Sequence, residues 1–382
     1  MAVLRPVDMR MQPAPYEGRM KVIHKILEQL QKYRPRKANL EGLAVQWEHE
    51  VAKRSSSKHG YMFNASLLLR DIARHKGNLN RQGRYEAPAP QVSKAEVLAA
   101  LRNLVLSEQV LSENGYVTAQ DALESAAEEK EGLETCVRCL KKFDVRDIMV
   151  PTQCQFHVLK EQYNKDMRTF QYRCCGEIGT SCTPFALGCK TLEHHVFRPC
   201  TYAAMSKLLP FRNTRGVEGE TNVLALDCEM AYTSCGYELI RLTVVEFWTN
   251  AVLFDEIVQP LGEIIDLNTQ FSGVHEIDRA VAKTFEEARE VFLSPAMINE
   301  NSILIGHGLE NDLNVLRIIH DKIIDTAILY PNGKFKSSLR NLAFQELSRR
   351  IQTGEHDSSE DAIAAMDVVK HKLGIPLDRK TW

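Results

Sequence analysis

The sequence predicts an α/β domain on a mixed sheet, preceded by a small metal-binding module and an all-α N-terminal region. Three observations point there. From residue 221 onward, strand-like and helix-like apolar patterns alternate. Eight of the ten cysteines fall between positions 136 and 200. Upstream of them, apolar residues recur at helical spacing. A hydrophobic content of 44% supports a real core and excludes a wholly disordered chain. No apolar run approaches the roughly 20 residues of a membrane span. The N-terminus, MAVLRPVDMRMQPAPYEG, lacks the apolar stretch of a secretory signal. A soluble intracellular protein is expected, in which cysteines serve as metal ligands or free thiols rather than disulfides.

In the first third, residues 17–33 space their apolar side chains for a helix, and Arg34, Pro35 and Arg36 break the pattern. Residues 39–54 and 62–75 predict two more amphipathic helices, followed by a linker over 77–92. Ser93 and Glu96 form an S-x-x-E capping box that opens another helix, carrying LAALRNLVL. A further helix is expected from near Thr118 into the acidic stretch ESAAEEKEG. Residues 1–131 therefore read as a helical, basic region of one or two small bundles that docks a protein partner. Residues 1–85 hold 17 Lys/Arg against 7 Asp/Glu, a net of +10, which leaves −12 on the remainder. A basic arm beside an acidic domain suits a protein that holds a polyanion in one place and metal cations in another; a solvated helical surface is the alternative.

Residues 133–200 form a cysteine/histidine-rich module. Cys136-x2-Cys139 is followed fourteen residues later by Cys154-x2-His157. Two clipped pairs of this kind close a tetrahedron around one ion, and soft or borderline ligands favour zinc over magnesium. Cys174, Cys175, Cys182, Cys189, His194 and His195 follow, enough for a second site or for ligands shared with the first. Sequence does not fix which thiols pair. No position looks open to substrate, so a structural zinc is expected.

The C-terminal domain, 221–375, opens with TNVLALDCEM, ELIRLTVVEFW and NAVLFDEIVQP, three strands in an expected antiparallel meander. A helix at about 283–293 follows, then SILIGHG and IIDTAIL as buried strands, helices at 309–319 and 338–351, and a last helix near Ser359. On a strand, residues two apart share a face, so Asp227 and Glu229 project together while Leu226, Cys228 and Met230 face the core. Two adjacent carboxylates repel unless a proton or cation lies between them. Hard oxygen ligands indicate Mg²⁺ or Mn²⁺. Asp312 sits on the first turn of the helix after SILIGHG, and His356-x4-Asp361 offers an acid on the last helix and an imidazole in the loop before it. Ser358 or Ser359 is the expected cap of that helix. His356 has the pKa range of a general base.

These three motifs resemble those of the DEDDh 3′→5′ exonuclease superfamily, which has a ribonuclease H-like fold. The runs DCEMAYTSCGYELIRLTVV, FSGVHEID, ILIGHGLENDL, DTAILYP, KSSLRNLA and HDSSEDA are similar to the RNA exonuclease 1/3/4 group. The cysteine module resembles the segment preceding the exonuclease domain in members such as fungal RNA exonuclease 3, with Cys189 and His195 at its last element and no clear counterpart for Cys182. The resemblance implies hydrolysis of terminal phosphodiesters at single-stranded RNA 3′ ends, releasing nucleoside 5′-monophosphates. Asp227, Glu229, Asp312 and Asp361 would hold two Mg²⁺ or Mn²⁺ ions, with His356 as general base. Phe271 would stack on the terminal base, in competition with core packing, and backbone near Met230 and Gly273 would approach the ribose 2′-OH. Cys136, Cys139, Cys154, His157, Cys175, Cys189 and His195 are the zinc candidates. Trimming of small stable RNAs, ribosomal RNA among them, in the nucleus and cytoplasm is the implied role. The rivals are a DNA-directed exonuclease of the same chemistry and an inactive exonuclease fold serving as an RNA or protein adaptor. Occupation of all five catalytic positions weighs against the last.

Overall fold

Three amphipathic stretches open the chain as helices α1 (Tyr16–Tyr33), α2 (Leu40–Lys53) and α3 (Lys58–Arg74). Asn39 and Ser57 cap the second and third by accepting the Gly42 and Gly60 N–H groups. Their shared core contains Ile23, Ile26, Leu30, Trp47, Tyr61 and Ile72. One buried polar knot ties all three: Arg19 pairs with Glu48 at 2.7 Å, and the Tyr61 hydroxyl donates to Glu48 at 2.8 Å. Hydrogen bonds from both sides are what make such a buried carboxylate tolerable. The computed structural model describes residues 4–9, 12–34, 39–55, 57–80, 83–84, 92–124, 132–179, 188–332, 335–352, 354, 357–377, 379 and 382. It divides into two units, residues 1–91 and 92–382.

The second unit begins with α4 (Lys94–Arg102), α5 (Glu108–Glu113) and α6 (Ala119–Glu124). The Ser93/Glu96 capping box forms in both directions. These helices correct the expectation of a single helical region over 1–131. Val97 and Leu101 pack with Val223, Ala225, Val245 and Ile303 of the C-terminal sheet, and Leu111 and Tyr116 share a core with Leu224 and Leu226. Their apolar faces are buried by the sheet, so they belong to its unit. Helix α5 is also absent from the sequence reading. The acidic run after Glu124 lies outside the described residues.

The cysteine/histidine module consists of three small hairpin-like pairs. β1 (Leu133–Thr135) pairs with β2 (Lys142–Asp144), β3 (Cys154–Phe156) with β6 (Lys190–Leu192), and β4 (Glu161–Asn164) with β5 (Thr169–Tyr172). Among the described residues its buried apolar cluster is small: Cys136, Cys154, Phe156 and Val196. A core this small does not offset the entropy of ordering the segment without a further cross-link.

After α7 (Tyr202–Leu208) and β7 (Arg212–Asn213), the chain builds β8 (Val223–Thr233), β9 (Gly236–Glu246), β10 (Val252–Gln259), β11 (Ile264–Asp266), α8 (Thr269–Ser272), β12 (Lys283–Thr284) and α9 (Phe285–Phe292). Then come β13 (Ile303–Gly306), α10 (Glu310–Leu316), β14 (Ile318–Ile319), β15 (Ile323–Asp325), α11 (Thr326–Leu329), α12 (Leu339–Leu347) and α13 (Ser358–Lys372). The sheet order is β12-β10-β9-β8-β13-β15, with β11 also on β8. Strands β8, β9 and β10 form the expected antiparallel meander, and β13 and β15 run parallel to β8. The sheet is mixed, as expected. Among the described residues no helix is long and apolar enough to cross a membrane.

Three local expectations change. IIDTAIL is a strand only over Ile323–Asp325; the Asp325 side chain accepts the Ala327 N–H and starts helix α11 instead. The helix expected to run to 319 ends at Leu316, because Arg317 turns left-handed at φ 55° and Ile318–Ile319 pairs with β7. The last helix is capped by Asp357, which accepts the Ser359 N–H, rather than by a serine. The Ser358 hydroxyl is instead engaged with Thr243 at 2.7 Å.

Candidate active site and metal centres

Asp227 and Glu229 lie on β8 opposite Thr243 and Arg241 of β9, with a register shift immediately after Glu229. Such a bulge twists a strand and re-aims its side chains. Leu226, Cys228 and Met230 point into the core, each under 9% exposed. The Met230 side chain is therefore core packing, which leaves only its backbone for a substrate role.

Helix α10 brings Asp312 to the same place. β13 pairs with β8 no further than Ala225, and Asp312 Oδ1 accepts the Cys228 N–H at 2.8 Å, between the two acids of β8. The turn into that helix is tightly specified. A Cβ on Gly306 would lie 2.4 Å from the Leu309 side chain, and Gly308 has φ 76°. Buried Asp325 accepts the Gly308 N–H at 2.9 Å, the Ala327 N–H at 2.8 Å and the Tyr116 hydroxyl at 2.6 Å. Helix α13 supplies Asp361, 4% exposed, whose Oδ2 accepts Gln352 Nε2 at 2.8 Å. The Thr243–Ser358 contact moors the start of that helix to the strand facing Asp227. Arg241 stands beside Glu229 but is held by Asp255 through bonds of 2.8 and 2.9 Å.

Electrostatics express this convergence. Burial, then Asp312, Glu229 and Asp361, push the Asp227 carboxyl well above its ordinary range. Burial, followed by Asp361, pushes Glu229 up to about 9. Burial raises Asp312 to about 7 against the lowering effect of the Cys228 N–H. Glu229 Oε1 is buried with no hydrogen-bond partner. An unsatisfied hard oxygen among mutually repelling acids fits a divalent cation. Among the described residues, only Cys/His sets bring three or more donor atoms within 4.8 Å of one another, so the acid cluster is the looser of the two kinds of site. His356 lies outside the described residues. Phe271, on α8, is 44% exposed, which removes the core-packing alternative, and Gly273 ends that helix at φ 62°.

The module holds two tetrads: Cys136, Cys139, Cys154 and His195; and His157, Cys174, Cys175 and Cys189. This corrects the expected grouping of Cys154 with His157. They flank a strand, where residues three apart face opposite sides. Cys136 and Cys139 can share an ion because a turn with Leu140 at φ 62° lies between them and β2. The spacing Cys-x2-Cys thus places both thiols in one tetrad, while Cys-x2-His divides its two residues between tetrads. Cys174 joins the candidates, and Cys182 lies outside the described residues. The Cys136–Cys154 and Cys174–Cys189 sulfurs are 3.6 Å apart. Thiolates on a tetrahedral zinc lie about 3.8 Å apart, whereas a disulfide is about 2.05 Å. Cys139 Sγ is 3.3 Å from His195 Nδ1, and Cys175 Sγ 3.5 Å from His157 Nδ1. His157 stacks on Tyr172 at 3.5 Å and His195 on Phe143 at 5.3 Å, fixing both rings. The hydrogen bond from Cys154 drives the Cys136 thiol down to about 3, the thiolate form that a metal takes.

Comparison with known proteins places this arrangement. The chain is 50% identical over 381 residues to RNA exonuclease 3 of Kluyveromyces lactis, covering 100% of this chain and 80% of that protein. It is 49% identical to RNA exonuclease 3 of Saccharomyces cerevisiae, covering 100% of this chain and 99% of that protein. The chain belongs to the RNA exonuclease 3 family. As a member it is an exonuclease. The REX3 N-terminal domain model matches residues 4–108, and so crosses the boundary between the two units. RNA exonuclease 3 of Candida glabrata is 46% identical, covering 99% of this chain and 98% of that protein. A solved structure of the Pan2 catalytic unit from Neurospora crassa is 26% identical, with a TM-score of 0.37, over 41% of this chain and 28% of that one.

The sequence reading missed Arg241, Asp325 and Thr243. Only the strand register signals the first and third, since each faces a catalytic candidate across β9. Nothing in the sequence marks Asp325 as the clamp for the turn leading to Asp312.

Proposed function

We propose that the protein is a 3′→5′ exoribonuclease that removes nucleoside 5′-monophosphates from single-stranded RNA ends with two divalent cations. The supporting observation is that one strand and two helices, far apart in sequence, bring four acids into one electrostatic cluster around the Cys228 amide. Asp227, Glu229, Asp312 and Asp361 would hold the cations, which when bound supply nucleophile activation and neutralise charge on the phosphorane-like transition state. The Cys228 N–H aims Asp312, and Gln352 orients Asp361. His356 would accept the proton of the attacking water. Phe271 offers an exposed face on which any terminal base can stack. The two Cys/His tetrads would each hold a structural zinc ion, stapling a module whose own core is small. The family resemblance supports small stable RNAs as substrates.

The test uses a 5′-labelled RNA 12-mer and a DNA 12-mer of the same sequence. The RNA is expected to shorten from its 3′ end in Mg²⁺, to resist when that end carries a phosphate, and to survive in EDTA; DNA is expected to be degraded more slowly. Asp312→Asn is expected to abolish shortening. Activity retained in EDTA or in that variant overturns the assignment of the site.

A further inference from the structure

One wide concavity of the second unit is lined by none of the four acids. It is a groove of about 1050 Å³ between the cysteine/histidine module on one side and Tyr232, Asp266 and the residues of α8 on the other. We propose that this groove binds the RNA strand immediately 5′ of the terminal nucleotide, making the zinc module a wall of the substrate channel as well as a folded spacer. The inference rests on the exoribonuclease reading and adds a subsite to it.

Four features carry it. First, the groove shares Phe271 with the proposed base-stacking position. Phe271 lines it, on a helix packed against β8, the strand that bears Asp227 and Glu229. Second, its walls expose apolar faces where a solvent-facing surface would be polar. Val137 is 43% exposed, Leu140 75% and Leu159 41%. Unpaired bases cover such faces without sequence choice. Third, its charge is basic. The lining carries Arg138, Lys160 and Lys190 against Glu161 and Asp266, a net of +1, and residues 133–200 as a whole hold 10 Lys/Arg against 7 Asp/Glu. Asp266 and Arg138 neutralise each other at 2.6 Å, which leaves the exposed Lys160 and Lys190 against Glu161. A polyanion meets its complement here.

Fourth, the floor is built. Arg138, between the metal-ligand candidates Cys136 and Cys139, stacks on Phe156 of the module at 5.1 Å and on Tyr232 of β8 at 4.8 Å. Its side chain is 10% exposed, yet Nη1 has no hydrogen-bond partner. The guanidinium spans both walls and ties them together, with Nη1 shielded from solvent and Nη2 on Asp266, so it holds the floor in shape while the exposed lysines are left to meet the phosphates. The same residue couples the width of the groove to the geometry of the metal-binding turn.

The experiment separates this subsite from the catalytic centre. Affinity for a fluorescein-labelled single-stranded RNA 12-mer is measured by anisotropy across a salt series with Mg²⁺ omitted and no chelator present, so that hydrolysis stops while tightly held zinc stays in place. Hydrolysis of an RNA dinucleotide, too short to reach the groove, is measured in Mg²⁺. For Lys160→Gln/Lys190→Gln, the 12-mer Kd is expected to rise at least about fivefold. The slope of log K against log salt is expected to flatten by about 1.4, roughly 0.7 for each single-strand phosphate that is no longer neutralised. Dinucleotide hydrolysis and zinc content are expected to match the wild type. Leu140→Ser is expected to weaken the 12-mer with no change in slope. Unchanged 12-mer affinity in all variants, as a peptide-binding groove would give, overturns the proposal. An equal loss on the dinucleotide also overturns it, by assigning the lysines to the catalytic end. A wild type that binds the 12-mer through this groove but hydrolyses neither substrate would sink the exoribonuclease reading and leave the groove standing.

Discussion

Glu229 shows how single residues set the chemistry. It is 6% exposed, with Oε1 unpartnered, in a strand that otherwise supplies core side chains. Without a cation its charge is a liability. Its carboxyl is raised from 4.5 to about 9, so the protonated form is favoured by folding. A group raised in this way contributes stability that is complete below pH 4.5 and is lost as pH climbs through about 9. Metal-free protein is therefore expected to show a Tm that falls between pH 6 and 9, and added Mn²⁺ is expected to restore it, more strongly at the higher pH. Calorimetry with no divalent cation added and with Mn²⁺ checks this; a Tm without added cation that rises over the same interval contradicts it. The same logic predicts that Glu229→Gln raises the Tm without added cation while removing nuclease activity. Two opposite effects from one oxygen-to-nitrogen change would mark a residue kept for function against stability.

At the scale of elements, strands and turns decide which ligands share an ion. The turn after Cys136 clips two thiolates to one site, whereas β3 sends Cys154 and His157 to different ones. Cys154→Ser and Cys174→Ser are each expected to lower bound zinc from two ions per chain to one, read by mass spectrometry of the purified protein. Loss of all zinc from either variant would mean the tetrads do not act separately. Helix α13 makes a second case. Thr243→Val leaves the Ser358 hydroxyl facing an apolar group and removes a hydrogen bond to Asp255, a change expected to cost about 1–3 kcal/mol. Denaturant unfolding measures that cost. Activity is expected to fall further than stability predicts, because the Thr243–Ser358 bond sets the start of the helix that carries Asp361.

The whole molecule divides where its sequence turns to a linker, but the helices beyond the linker join the catalytic unit. Tyr116 donates to Asp325, which in turn holds the Gly308 turn ahead of Asp312, so a residue of the N-terminal third braces an element of the active site. A fragment of residues 92–382 is expected to unfold cooperatively and to hydrolyse an RNA dinucleotide. A fragment starting at 132 is expected to lose both properties, because it exposes the sheet surface that Val97, Leu101 and Leu111 cover. Equal stability of the two fragments would show that this packing contributes nothing.

Strand periodicity is local and each carboxylate breaks an apolar run, so the mixed α/β domain, its antiparallel meander and the shared face of Asp227 and Glu229 were legible along the chain. The sequence also marked Asp312 and Asp361 by their places at helix starts. Which cysteines meet, how Asp325 and Thr243 brace the elements that carry the acids, and the membership of α4 to α6 in the second unit emerge from packing alone. The reason is physical: those outcomes depend on which side of a strand or helix is covered by residues distant in the chain, and spacing along one segment carries no record of what will be packed against it.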